Sequence, residues 1–423
     1  MPASRMTTAV HLGLGLGVLG AAGYAFVAVV GHVFETPAEA GALGALISLY
    51  LIVNIVGAGV FAAVEQETSR AVSSAIARGE SLRPIARHAA LLALAAFGGL
   101  VVLVLVSWPL VLSRVLDGQV GLLVALLVAI AGCALVYWAR GVLGGQQRFP
   151  AYARTLYVEG AVRLLPCVAL LLVAVQQPAA YGLAFALGSA VAALAVAPAL
   201  RLPTAGEAPG GTAGMARSLA YLMGAIALSQ MLANLAPVVV TYRSPDDLVT
   251  AGVFGSTFVL ARIPLFLFAP VQAVLLPKLT AAAARGEHDE LAQRLRQVLL
   301  VVLGVGGAGV LACALLGPWA AELLFNTAFA PSAGMIALLG VATLIMMLAL
   351  VVQPTLVAVG RQRLVTIGWI AGSIVFLVVV VLPGDPITMA LAAQLAGPGV
   401  VLAVLGGGAV RALAAPSPTS ARR

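Results

Sequence analysis

The sequence predicts an all-α polytopic membrane protein of about 12 transmembrane helices in two parallel six-helix lobes. Three observations predict it. The chain is 62% hydrophobic and only 9% charged over 423 residues, with a mean hydropathy of +1.10, so a water-facing globular surface is out of reach and the solvent is lipid. The apolar residues fall in runs long enough to cross a bilayer, which takes about 20 helical residues. A polar phrase, "AIARGE" at 75–80, returns as "AAARGE" at 282–287.

Apolar runs bounded by charge, Gly or Pro lie at 8–33, 40–64, 88–112, 119–143, 155–175, 180–200, 218–241, 249–277, 298–316, 331–357, 364–382 and 386–408. The first resembles a secretion signal, because "AEA" at 38–40 has the small-x-small form of a cleavage site. Its apolar stretch is about twice the usual length and a second span follows at once, so it reads as a retained helix.

Charge sets the orientation. With both termini cytoplasmic, most of the Lys and Arg fall on the inner side, among them Arg70, Arg78, Arg83, Arg87, Lys278, Arg285, Arg294, Arg296, Arg361 and Arg363. The outer loops carry Arg114 and Arg243 against Glu35, Glu39, Asp117, Asp246, Asp247, Glu322 and Asp385. This is a positive-inside pattern and it agrees with an even number of spans. The net charge of +8 is therefore a topological signal. A nucleic-acid partner is not expected, since no polar face carries Arg among aromatics. Cys133, Cys167 and Cys313 lie inside spans and read as small buried apolar residues, and the scattered histidines His11, His32, His88 and His288 have no metal-ligand spacing. Neither a metal nor a cofactor is expected.

The repeated phrase follows span two and then span eight, and "GGQQRF" at 144–149 is echoed by "VGRQRL" at 359–364 after spans four and ten. The chain thus reads as a six-span unit duplicated in the same orientation. This predicts an N-terminal lobe over 1–200, a cytoplasmic linker at 201–217, a C-terminal lobe over 218–410 and a cytoplasmic tail at 411–423. Parallel duplication points to two lobes that rock to alternate access. No connection is long enough to hold a catalytic domain, so an enzyme is not expected.

Chemistry then rests on polar residues within the bilayer. Arg262 lies deep in span eight, "AGVFGSTFVLARIPLFLFAPVQAVLLPKL", where a charge costs roughly 2.5 to 3.5 kcal/mol on insertion scales and tends to face a wet cavity or an anion. A guanidinium fork matches phosphate oxygens in bidentate geometry. Pro264 and Pro270 follow it and predict a bend or break. Glu159 and Arg163 are four apart on span five, in the inner leaflet, with the spacing of a self-neutralising pair or a substrate contact. Gln230 with Asn234 on span seven, and Tyr50 with Asn54 on span two, are each one turn apart and read as interhelical glue or cavity lining. Glu65 and Glu67 in "VEQETSR" read as a solvated inner helix end, or as a gate facing inner arginines.

The runs "ARIPLFLFAPVQAVLLPKLTAAAARGE" and "ARGVLGGQQRFPAYARTLYVEGAVRLL", set in twelve spans of two parallel halves, resemble the multidrug/oligosaccharidyl-lipid/polysaccharide (MOP) exporter superfamily and within it the Wzx-like polysaccharide flippase branch. The resemblance extends over nearly the whole chain. It implies a V-shaped, MATE-like pair of bundles that moves an undecaprenyl-type pyrophosphate-linked glycan from the inner to the outer leaflet, with Arg262 placed to meet the pyrophosphate. The lipid II flippase branch usually has extra spans and a basic cluster in span one, where this chain has Arg5 and His11. Substrate contacts are expected at Arg262, Arg163, Asn54, Gln230 and Asn234, and gating or coupling at Glu159, Glu65, Glu67, Pro264 and Pro270. Expected partners are the lipid-linked glycan, membrane lipids and glycosyltransferases or a polymerase of the same pathway, at the bacterial cytoplasmic membrane. Two rival readings stand beside this one: a cation-coupled multidrug exporter using Glu159, and an inactive flippase-like scaffold needing no cavity charge.

Overall fold

The computed structural model describes residues 2–203, 213–265, 288–325, 331–359 and 361–413. Within them run twelve helices long and apolar enough to cross a membrane: α1 His11–Val33, α2 Ala40–Arg78, α3 Leu82–Val115, α4 Val120–Gly145, α5 Phe149–Leu172, α6 Pro178–Ala199, α7 Met215–Arg243, α8 Leu248–Leu265, α9 Asp289–Leu323, α10 Ala333–Leu356, α11 Arg363–Val381 and α12 Pro386–Leu413. The protein is an all-helical, multi-pass membrane protein, as the apolar runs predict.

The largest departure from the expected boundaries is in α2, which continues well past residue 64 as a polar, amphipathic helix. Hydrophobicity ends there, but helix propensity does not, because "AAVEQETSRAVSSAIAR" contains neither Gly nor Pro. The stop comes at the repeated phrase. Gly79 adopts φ +70°, its N–H donates to Ile76 O at 3.2 Å, and the Glu80 N–H reaches Ala75 O at 2.9 Å. That is a Schellman cap, which favours glycine in its left-handed position. The second copy of the phrase lies outside the described residues. The other echo follows a helix end in each copy, though with its closing bond at a different position of the phrase: Arg148 N–H, at the fifth position, donates to Leu143 O after α4, and Arg361 N–H, at the third, donates to Leu356 O after α10, both at 2.8 Å.

Midway along α2, Ile55–Phe61 widens into a π-helix between two α-helical halves. The residues preceding it, Ala40–Val53, are nearly all buried, which makes this half of α2 the core of its bundle. The helix α4 packs against α6 and the second half of α2, α5 packs against α1 and α6, and α7 packs on the π-helical turn. By contrast, α3 exposes Leu94, Val102, Leu103 and Val106 at 59 to 77%, a surface suited to hydrocarbon and unsuited to water.

Two compact units emerge, the first running to Gly252 and the second taking the helices from Val253 on. In the second, α12 packs on α10 and α11, and the buried Trp369 indole donates to Gln353 Oε1 at 2.8 Å.

Candidate functional site: a buried arginine–glutamate network

Among the described residues, the strongest concentration of buried charge lies in the first unit, where α4, α5 and α6 meet. Glu159 on α5 is 2% exposed and receives three donors. Arg140 Nη2 on α4 approaches Glu159 Oε2 at 2.5 Å, and Arg163 Nη2, one turn along α5, approaches Oε1 at 2.6 Å. The Ser189 hydroxyl of α6 donates to the same Oε1 at 2.7 Å while accepting from Arg163 Nη2 at 3.0 Å. Arg140 Nε donates to Thr155 Oγ1 at 2.7 Å. The guanidinium planes also meet aromatic rings: Arg163 Cζ is 4.5 Å from the Phe185 centroid and Arg140 Cζ 5.4 Å from that of Tyr137, contacts that favour a desolvated cation.

A second acid closes the network. The Tyr152 hydroxyl donates to Glu65 Oε1 at 2.6 Å, linking α5 to α2. The approach of α2 to α4 depends on Gly141, where an added Cβ would lie 2.7 Å from Thr68 Cβ and 2.8 Å from Glu65 O. A residue next to Arg140 thus brings Glu65 to its place. Glu159, Arg140 and Arg163 are buried and Glu65 partly so, and opposite charges placed together in this way are the condition under which charges persist in a low-dielectric interior.

The expected contacts are only partly brought together. Glu159 and Arg163 do pair, near the middle of the helix Phe149–Leu172. Glu67 is 1% exposed and bonded to Arg70. The expectation of a solvated helix end fails there because α2 runs on to Arg78 and α4 covers this part of it. Asn54 does not act as interhelical glue through its amide N–H, which donates to Tyr50 O of its own helix at 2.8 Å, one residue before the π-helix. Asn234 likewise donates back to Gln230, to its main-chain O at 3.0 Å and its Oε1 at 3.1 Å.

Arg262 belongs to the second unit. It is 6% exposed, its Nη2 donates to Gln394 Oε1 of α12 at 2.9 Å, and its Cζ lies 4.6 Å above the Phe258 ring centroid. The regular helix is interrupted at this residue: Arg262 N–H bonds to Val259 O and Leu265 N–H to Arg262 O, three residues back in each case. Pro264 lacks a main-chain donor, which accounts for a break there, and its ring sits where a side chain at Gly309 of α9 would be. Pro270 lies outside the described residues.

The comparisons place this architecture. No family model matches the sequence. The uncharacterised protein Rv1510 of Mycobacterium tuberculosis is 28% identical over 289 residues, a match that takes in 66% of this chain and 63% of that relative's length. A multidrug resistance MATE family transporter of the MOP superfamily, solved in its inward-facing conformation, superposes with a TM-score of 0.71 at 13% identity, covering 94% of both chains. The lipid II flippase MurJ in its inward closed conformation superposes at 0.67 with 14% identity, over 96% of this chain and 89% of its own. The fold is that of the MOP-superfamily transporters.

In this MOP fold, residue-by-residue reading of the sequence overlooks Arg140, Tyr152, Thr155 and Ser189. Arg140 lies near the end of an apolar run and passes for one more flanking cation. Its signal is its place inside the run at 119–143, before the glycines that end the helix. Ser189, Thr155 and Tyr152 carry no signal of their own, because their partners come from other helices.

Proposed function

We propose that this protein moves a polyprenyl-pyrophosphate-linked oligosaccharide from the inner to the outer leaflet by alternating access, in the service of polysaccharide or cell-envelope synthesis. The solved structures that superpose on it include a multidrug resistance transporter and a lipid II flippase, so the fold admits both substrate classes. The observation that favours the flippase is the state of Glu159. A cation-coupled exporter needs a membrane-embedded acid with oxygens available to Na⁺ or H⁺, and Glu159 already accepts from Arg140, Arg163 and Ser189. Capturing a cation there would break charge-assisted bonds in a buried site. Arg262, buried and donating to Gln394, carries a group suited to phosphate, which a guanidinium meets in bidentate fashion.

On this reading the six-span halves 1–200 and 218–410 are the moving lobes, joined by a cytoplasmic linker at 201–217. The protein works in a bacterial cytoplasmic membrane with both termini inside, beside glycosyltransferases or a polymerase that make and consume its cargo. Only a headgroup that binds the inward and outward states differently shifts their populations.

The test is flipping of fluorescent undecaprenyl-pyrophosphoryl oligosaccharide in proteoliposomes. Wild type is expected to flip it, and Arg262→Ala, correctly folded by its melting profile, to lose that activity. Cation-driven dye export by a wild type that flips no lipid would make the protein a drug exporter. Neither activity in a folded protein would leave the scaffold reading.

A further inference from the structure

A groove of about 360 Å³ opens on the lipid-facing side of the first unit, between α3 and α4. Its existence follows from side-chain size. Ala90 and Ala93 of α3 and Ala131 and Ala134 of α4 face one another across the contact, with Leu94 and Leu135 beside them, and both leucines are at least half exposed. Alanines leave a channel where larger residues would interlock. The antiparallel run of the two helices puts Phe97 at one end and Trp138 at the other. The indole at that second end is fixed, its Nε1–H donating to Ala86 O at 3.0 Å.

The Trp138 end is also the charged end. Along α3 the helical repeat of 3.6 residues puts 83, 87, 90, 94 and 97 on one stripe, so Arg83 and Arg87 continue the line of the groove toward the start of the helix. Both are exposed. The sequence places this end on the cytoplasmic side by its excess of Arg. An apolar channel of this kind, capped by an anchored indole and followed by two cations, matches an amphiphile with a hydrocarbon tail and an anionic head. The membrane itself supplies such molecules, and its cytoplasmic surface attracts Arg through anionic lipid.

We propose that the α3–α4 groove is a binding site for an anionic phospholipid of the cytoplasmic leaflet, with one acyl chain between Phe97 and Trp138 and the phosphate on Arg83 and Arg87. None of the residues that line the groove belongs to the buried network, and the site does not depend on what the protein transports. Its occupant fills a seam that the alanines leave unpacked.

Native mass spectrometry of the full-length protein, titrated with dioleoyl-phosphatidylglycerol or dioleoyl-phosphatidylcholine, tests it. Retention of phosphatidylglycerol is expected to exceed that of phosphatidylcholine by about tenfold, two arginines near a headgroup each contributing to the attraction. Arg83→Ala with Arg87→Ala should remove the preference while leaving some lipid bound. Ala134→Phe should fill the channel and reduce retention of both lipids, and a melting curve confirms that each variant is folded. Should the double variant keep its preference, or Ala134→Phe retain lipid as wild type does, the site is overturned. Displacement of phosphatidylglycerol by equimolar undecaprenyl pyrophosphate would overturn it as well, by making the groove part of the substrate's path.

Discussion

Arg140 and Glu159 form an ion pair between α4 and α5 in which neither side chain is more than 3% exposed. With Arg163 on the second carboxylate oxygen, one glutamate carries two guanidinium groups. Removing that glutamate strands both. Glu159→Gln is expected to cost about 3–5 kcal/mol, the range for breaking a buried pair by deleting one partner, read as a fall in the thermal unfolding midpoint in detergent. Arg140→Met combined with Glu159→Leu should cost less than Glu159→Gln alone, because it leaves one stranded guanidinium, that of Arg163, where the single variant leaves two.

Gly141→Ala should separate α2 from α4. The new methyl meets a main-chain oxygen and a β-branched side chain, neither of which yields cheaply, and overpacking of this kind costs about 1–3 kcal/mol. Gly98→Ala on the lipid-facing α3 is the contrast. Nothing lies within 4 Å of the added atom there, so the helix should gain roughly 0.5–1 kcal/mol. Opposite shifts in melting temperature are the expected result.

Asp117, in the turn between α3 and α4, holds its carboxylate in the space that a side chain at Gly41 would need. Partial burial there raises its pKa above the ordinary 3.8. A carboxyl with a raised folded-state pKa contributes stability below about pH 4, which is lost as pH rises through the folded value. Melting temperatures measured across that window should therefore fall with rising pH in wild type. The fall should be smaller in Asp117→Asn, which is also expected to be the more stable of the two at pH 7.

Gln394→Leu removes one hydrogen-bond partner of Arg262. A hydrogen bond to a charged group is worth about 1.5–3 kcal/mol, so flipping should fall by about tenfold or more if Arg262 must be held in one orientation to meet its anion. Unchanged flipping in Gln394→Leu, alongside loss in Arg262→Ala, would mean that the substrate alone orients the guanidinium.

The legibility of these features follows the range of the forces behind them. Twelve spans were readable because bilayer thickness imposes a length on every apolar run. The repeated phrase was readable as a feature following span two, but that it caps the helix at Gly79 was not read from it. The break at Arg262 was readable from Pro264, which acts on its own turn. The extent of α2 beyond residue 64 was not readable from hydropathy, because a helix continues wherever propensity permits, whether or not lipid surrounds it. Glu67 was misplaced for the same reason.

By itself the sequence determined the solvent, the number of spans and the i,i+4 relation of Glu159 to Arg163. Each of these rests on composition or on contacts within one helix. Only the tertiary structure decided that Arg140 of α4 and Ser189 of α6 complete the coordination of Glu159, that Tyr152 holds Glu65, and that Gln394 receives Arg262 from 132 residues away. In a bilayer, apolar faces do not distinguish one neighbouring helix from another, because lipid is as apolar as leucine. Partner choice then falls to small residues that permit close approach and to buried polar groups that must find one another, and those matches exist only once the helices are packed.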